Sequence, residues 1–424
     1  MDYSVKSANG LIGRIAVPGS KSHTIRAVAA ALLGSGKCRI NAPLLSEDTV
    51  SALHAAETLG TKLSAQTPEY WELAGCAGNY GNTPLTVDMG NSGTSLRIIT
   101  AAACLGSVPV TFDGDASLRT RIMQGELDAL TALGAHTAST GGFAPLTVSG
   151  PLTGGYAKVD GTTSQYLSAL LMTLPLAQGD SVLELDFLNE ADYVRITLDW
   201  LQKCGIEVKY RDDLLRFDIP GNQKYKPFDR IIPADFSTAA FPLGAGVIAG
   251  EKVEIANLDF DDLQGDKRVF EFVRQMGGNI VSTQSTVTVS RSRLHGGEFD
   301  LNATPDALPI MAVLGCYADG VTKLLNVPQA RLKETDRITC MTAELRKMGA
   351  DIEELADGMI IRGGKKLHGA EVASHADHRI AMSLTVAALG AEGETVISDA
   401  GACSVTYPDF ADDFRKLGAR IKEF

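Results

Sequence analysis

Seven cations carry the chemistry that this sequence offers: Lys21, Arg26, Arg97, Arg121, Lys333, Arg337 and Arg379. They lie in the segments PGSKSHTIR, GNSGTSLR, GDASLRTR, RLKETDR and ADHR, several in or near the first turn of an apolar, helix-like stretch. A cation is unfavourable there, because a helix start already carries partial positive charge. A bound anion reverses the sign and gains up to ~2 kcal/mol from one helix end. One such Arg alone reads as the partner of a nearby Asp, but seven at recurring junctions read as an anion site. Ser20, Ser22, Thr163 and Ser164 can donate hydroxyls to phosphate oxygens, and each can equally cap its helix. The anion is a phosphate but not a nucleotide, since neither GxxxxGK[ST] nor a strand–GxGxxG–helix pattern is present.

These residues need a frame, and the frame repeats. Six amphipathic stretches end in a Gly that leads into a strand-like run, at Gly60, Gly134, Gly205, Gly277, Gly349 and Gly418. The steps between them are 74, 71, 72, 72 and 69 residues. Each unit carries a second stretch that is apolar on all sides, as expected of a helix enclosed by protein: 22–33, 94–105, 165–176, 237–248, 306–317 and 378–389. All six open with small or polar N-cap residues. The pattern reads strand, buried helix, strand, amphipathic helix, strand, strand, an α/β (α+β) arrangement of stacked subdomains. The sixth unit stops short of its last strand, which the run 3–7 can supply, and 11–17 then begins another unit. Two three-unit domains follow, 18–233 and 1–17 plus 234–424, with crossings near Pro18-Gly19 and Pro233-Ala234 that make a hinge. The alternative is one rigid six-unit body.

Composition narrows the function classes. The net charge of −12 argues against nucleic acid as the main partner. No uninterrupted apolar stretch approaches the ~18 residues that span a bilayer, and the opening MDYSVKSANG lacks the basic and apolar regions of a secretory signal. These features lead us to expect a soluble, cytoplasmic protein. The seven Cys show no CxxC spacing and the seven His no HExxH array, so buried thiols and no metal are expected.

PGSKSHTIR at 18–26, GNSGTSLR at 90–97, GDASLRTR at 114–121, TTSQYLSALL at 162–171, PDA at 305–307, KETDR at 333–337 and DHRIAM at 377–382 follow one order. In that order the chain resembles the 5-enolpyruvylshikimate-3-phosphate synthases (3-phosphoshikimate 1-carboxyvinyltransferases), with PGSKS and KETDR the most specific motifs. The resemblance implies the two-domain enolpyruvyl transferase fold, three βαβαββ units per domain with buried helices (an inside-out α/β barrel), and an active site in the interdomain cleft. It implies transfer of the enolpyruvyl group of phosphoenolpyruvate to the 5-hydroxyl of shikimate 3-phosphate, with release of phosphate, in the shikimate pathway to chorismate and aromatic amino acids. It also implies a monomer with no cofactor and no metal, and with small-molecule partners only.

Carried over by motif, Lys21, Ser22, Arg26, Thr163, Ser164, Gln165, Tyr193, Asp306, Gln329 and Lys333 would bind shikimate 3-phosphate. Lys21, Gly93, Arg121, Gln165, Arg337 and Arg379 would bind phosphoenolpyruvate. Asp306 would take the hydroxyl proton, Glu334 and Lys21 are alternatives for protonating the methylene, and Arg337 and Arg379 would stabilise the departing phosphate. Asp306 as a mere helix cap, and Glu334 as a salt-bridge partner of Arg337, are the bland alternatives. Without ligand, the cations would repel one another and help hold the domains apart.

Four positions depart from the family pattern. Val405 precedes Thr406-Tyr407-Pro408 where Lys, Ser or Thr is usual, Gln329 replaces Asn, Ile122 replaces Pro, and Glu190 stands where a phosphate-binding Ser is usual. A carboxylate beside a phosphate is repulsive, so Glu190 is expected to point away, unless the local alignment slips. Gly93 leaves room for glyphosate, so inhibition is expected. Three rivals share parts of the pattern: a UDP-N-acetylglucosamine enolpyruvyl transferase, an RNA 3′-phosphate cyclase, and a paralogue that binds anions without turnover.

Overall fold

All six junction glycines hold a positive φ, from +75° at Gly205 to +110° at Gly60. That backbone region is costly for any side chain, which is why Gly ends each amphipathic helix here. The structure, a computed structural model, describes residues 1–8 and 10–424. The amphipathic helices preceding the junctions are Glu47–Thr58, Gln124–Ala132, Ala191–Lys203, Arg268–Gln275, Arg337–Lys347 and Phe410–Lys416.

Each repeat contributes one four-stranded sheet, and the six sheets share a topology. In the second repeat, Leu85–Asp88 runs parallel to Val110–Asp113, with the buried helix Gly93–Ala103 as the crossover. Val110–Asp113 then pairs antiparallel with Phe143–Ser149, whose other edge takes His136–Thr140. The crossover helices are buried nearly all round; in Phe236–Ala249 all 14 residues are buried. The expected helix 165–176 ends its α-helical part at Thr173 and closes as a 3-10 turn, Leu174–Leu176, because Pro175 has no N–H to continue the ladder. The expected start at 306 is likewise a 3-10 turn, Pro305–Ala307, leading into the helix Leu308–Tyr317.

The strand exchange read from the pattern is present. Tyr3–Lys6 lies between Glu394–Ser398 and Arg420–Glu423, antiparallel to both. Leu11–Ala16 runs parallel to Gly250–Ala256 as the first strand of the fourth repeat. A matching exchange was not legible: the first repeat takes its opening strand from Asp229–Ile231, parallel to Lys37–Asn41. Accordingly, the chain divides into one unit of Met1–Pro18 with Pro233–Phe424 and another of Gly19–Ile232. Each has its own apolar core built around its crossover helices. Among the described residues, no helix is long and apolar enough to cross a membrane. The seven cysteines are unbridged, and burial pushes the thiols of Cys204 and Cys316 up to about 12.

Candidate active site

In the unit Gly19–Ile232, helix starts bring the cations together with their partners. Ser20 caps the helix Lys21–Leu33 by accepting from the His23 N–H. Lys21 stands in its first turn and donates from Nζ to Asp48 Oδ2 at 3.0 Å. Arg26, one turn on and 1% exposed, donates to Thr197 Oγ1, Ser168 Oγ and the carbonyls of Ser22 and Tyr193. Four of its five N–H groups are thereby used. Burial pulls its pKa down to about 10, with Tyr193 and Glu190 opposing, so it stays cationic at neutral pH.

The second helix start in this unit is set by close approach. A Cβ on Gly93 would lie 2.8 Å from Arg121 Nη1 and 2.9 Å from Arg97 Nη1, so the absence of a side chain seats both guanidinium groups at the helix opening. Arg121 donates to Asn91 and Ser117. Arg97 donates from Nη1 to Gln165 Oε1 at 2.7 Å, which turns the Gln165 carboxamide so that its NH₂ remains a donor. Ile122 is 45% exposed and gives its carbonyl to Tyr166 and Arg97.

At the third helix start, Thr163 caps Ser164–Thr173 through the Gln165 N–H. The expected orientation of Glu190 is corrected here. Its Oε2 accepts from Ser164 Oγ at 2.8 Å, from Ser164 N at 3.3 Å and from Thr163 Oγ1 at 3.4 Å. Three converging donors draw the carboxylate onto this helix start. Tyr193, three residues on, is partly buried against the core and gives its carbonyl to Arg26 and Thr197.

The other unit assembles a buried charge cluster. Arg337, 1% exposed, opens the helix Arg337–Lys347 and donates to Asp377 Oδ2 at 2.7 Å, to Asp306 Oδ1 at 2.7 Å and to Glu334. Arg379 reaches the second oxygen of Asp306 at 2.9 Å. Asp377 caps its own helix, accepting from the Arg379 and Ile380 N–H groups. Asp306 is therefore held between two guanidinium groups, and the cap position of the following helix belongs to Ala307. Burial raises its pKa, but Arg379, Arg337 and Lys333 outweigh that and hold it well below the usual carboxylate range. Burial likewise lowers the pKa of Arg337, and Asp377, Glu334 and Asp306 overcome it. Gln329 is buried and donates to the Asn302 carbonyl at 2.9 Å. Val405 ends the turn Ala400–Val405, next to a buried Thr406.

The expectation of bare, mutually repelling cations is corrected on one count. Lys21, Arg337 and Arg379 each face a carboxylate of their own unit, because an unpaired buried charge is too costly to keep. Asp48 and Asp377, which pair with Lys21 and Arg337, and Asn91, which accepts from Arg121, were not singled out in the sequence. The motif positions of Asp377 and Asn91 were visible, but nothing in one chain marks which carboxylate meets which cation.

A further buried acid lies close to Arg97. Glu126 is fully enclosed, and neither carboxyl oxygen has a hydrogen-bond partner among the described residues. Burial pushes its pKa well up, with Arg97 opposing. The folded state thus binds a proton that the unfolded state releases above its ordinary pKa, so stability falls as pH rises toward the folded value. Glu126→Gln is expected to be indistinguishable from the parent at pH 4 and more stable at pH 8 by about 2 kcal/mol, or roughly 5 °C. Thermal unfolding at the two pH values checks this.

A family model described as EPSP synthase (3-phosphoshikimate 1-carboxyvinyltransferase) matches residues 5–414. The chain is 46% identical over 412 residues to a 3-phosphoshikimate 1-carboxyvinyltransferase of Acetivibrio thermocellus, with 96% of each covered. It is 45% identical over 413 residues to one of Ruminiclostridium cellulolyticum, with 97% of each covered. Its fold is similar to that of the EPSP synthase from Acinetobacter baumannii, with a TM-score of 0.83 at 25% identity over 100% of both chains. With its motifs in order, its six repeats and these likenesses over nearly its whole length, the chain belongs to the EPSP synthase family.

Proposed function

We propose that the protein transfers the enolpyruvyl group of phosphoenolpyruvate to the 5-hydroxyl of shikimate 3-phosphate and releases orthophosphate, the chemistry of its family. The observation that carries the residue assignment is the Asp306 carboxylate held between Arg337 and Arg379. In the addition step the 5-hydroxyl oxygen bonds to C2 of phosphoenolpyruvate, Asp306 takes the hydroxyl proton, and the terminal methylene gains a proton from Glu334 or Lys21. In the elimination step the C2–O bond to phosphate breaks and the methyl group returns a proton. Arg337 and Arg379 balance the charge on the leaving phosphate. The amide donor of Gln165, oriented by Arg97, serves both substrates. Ser22, Arg26, Thr163, Ser164, Tyr193, Gln329 and Lys333 hold shikimate 3-phosphate.

Each phosphate brings about −1.5 to −2 and each substrate a carboxylate, so roughly −5 to −6 must be balanced. Neither unit's cations alone match that. The two units therefore act on one pair of substrates, and binding draws them together. Small-angle scattering is expected to show compaction with shikimate 3-phosphate plus an unreactive phosphoenolpyruvate mimic, and an unchanged profile would refute closure. We further propose that the protein works in the cytoplasm as a monomer.

Phosphate release that requires both shikimate 3-phosphate and phosphoenolpyruvate tests the reaction; release with UDP-N-acetylglucosamine as acceptor would overturn it. Gly93 gives a second test. Gly93→Ala drives a methyl group into Arg121 and Arg97, and is expected to raise the KM for phosphoenolpyruvate about tenfold with a smaller change in kcat. Glyphosate should inhibit the parent and inhibit this variant far less; full parental activity in millimolar glyphosate would contradict the assignment.

A further inference from the structure

Glu190 has no part in the reaction, yet it occupies the donors that a phosphate needs. It is 1% exposed, on a left-handed backbone (φ +57°) directly ahead of the helix Ala191–Lys203. Its carboxylate draws on the Thr163 hydroxyl, the Ser164 hydroxyl and the Ser164 backbone N–H. Ser164 Oγ carries one proton, so it can donate to Glu190 or to a phosphate oxygen but not to both. Two anions on the same donors also repel strongly in a site this buried.

We infer that Glu190 is an internal competitor for the substrate's phosphate, which excludes free inorganic phosphate and yields only to a phosphate tethered to the substrate ring. This rests on the reading of Thr163 and Ser164 as phosphate donors. Inorganic phosphate that displaces Glu190 exchanges one anion for another and gains little. Shikimate 3-phosphate also brings its carboxylate and hydroxyls to the other groups proposed to hold it, and that extra binding drives Glu190 off. Until the substrate arrives, the carboxylate also offsets the buried charge of Arg26, which donates to the neutral oxygens of Thr197, Ser168, Ser22 and Tyr193. The reaction releases orthophosphate at every turnover, so a subsite that ignores free phosphate is a working advantage.

Titration calorimetry on Glu190→Ser and Glu190→Gln, each confirmed to unfold cooperatively, tests the inference. Glu190→Ser is expected to bind inorganic phosphate and shikimate 3-phosphate about tenfold tighter than the parent, and unphosphorylated shikimate within about twofold. Inorganic phosphate should then become a competitive inhibitor against shikimate 3-phosphate. Glu190→Gln, which keeps the shape and removes the charge, should move in the same direction by less. If both variants bind inorganic phosphate no more tightly than the parent, the competitor role is overturned. The double variant Thr163→Val/Ser164→Ala separates the two readings. Weaker binding of shikimate 3-phosphate by this variant upholds the subsite, whatever Glu190 does, and unchanged binding removes the subsite itself.

Discussion

Asp306→Asn is expected to lower kcat by about 10³-fold while affinity for shikimate 3-phosphate stays within about tenfold. The substitution keeps the side chain's shape and removes the basic oxygen, so it separates proton transfer from binding. Asp306→Ala should also lose part of the binding, since Arg337 and Arg379 then lack their shared partner. Turnover within tenfold of the parent would remove Asp306 from its role as base. These two cations and Lys333 impose a condition on the mechanism. Arg379, Arg337 and Lys333 overcome the effect of burial and hold this carboxyl well below its usual range, which makes it a weak base without substrates. Phosphoenolpyruvate places its own negative charge on Arg337 and Arg379, offsetting them, so the basicity of Asp306 rises in the complex. The acid limb of kcat should therefore lie at higher pH than that of kcat/KM, and Asp306→Asn should lose the difference. The sign for stability follows from the depression: the contribution of Asp306 is present above the unfolded carboxyl pKa, about 3.9, and is lost as pH falls toward the folded value.

The second large effect is on stability. Arg337→Met is expected to cost its unit about 3–5 kcal/mol, or on the order of 10 °C in Tm, at neutral pH. It leaves Asp306, Glu334 and the fully buried Asp377 facing one another with their common donor gone. The deficit should shrink as pH falls and the Asp306 carboxylate, no longer held down by Arg337, takes up a proton. Adding Asp377→Asn should restore part of the loss, and a double-mutant cycle by thermal unfolding reads the coupling. A Tm within about 2 °C of the parent would show that the cluster does not hold this unit together.

The architecture was largely legible because a repeat multiplies weak signals. One Gly after an amphipathic stretch means little; six at nearly equal steps give the unit, and the leftover run 3–7 gives the exchange. The opposite exchange, by Asp229–Ile231, was hidden because YKPFDRII carries a Pro and no clean alternation. Among the site residues, the cations showed through their placement at helix starts. Their counter-charges did not, because pairing Lys21 with Asp48 or Arg337 with Asp377 depends on how helices pack, which local spacing does not encode. Glu190 is the sharpest case. The letters identified an acid at a phosphate position, and repulsion argued that it turns away. Its left-handed backbone and the three donors of Thr163 and Ser164 turn it inward instead.

The pairing of Tyr3–Lys6 with Glu394–Ser398 and Arg420–Glu423, at the far end of the sequence, has a consequence for how the chain is made. On the ribosome, the unit Gly19–Ile232 has every strand it needs once Ile232 has emerged. The other unit must keep its first strand waiting until Arg420–Glu423 has been synthesised. Its leading segment is thus exposed as an unsatisfied edge during translation, and the two halves mature in a fixed order.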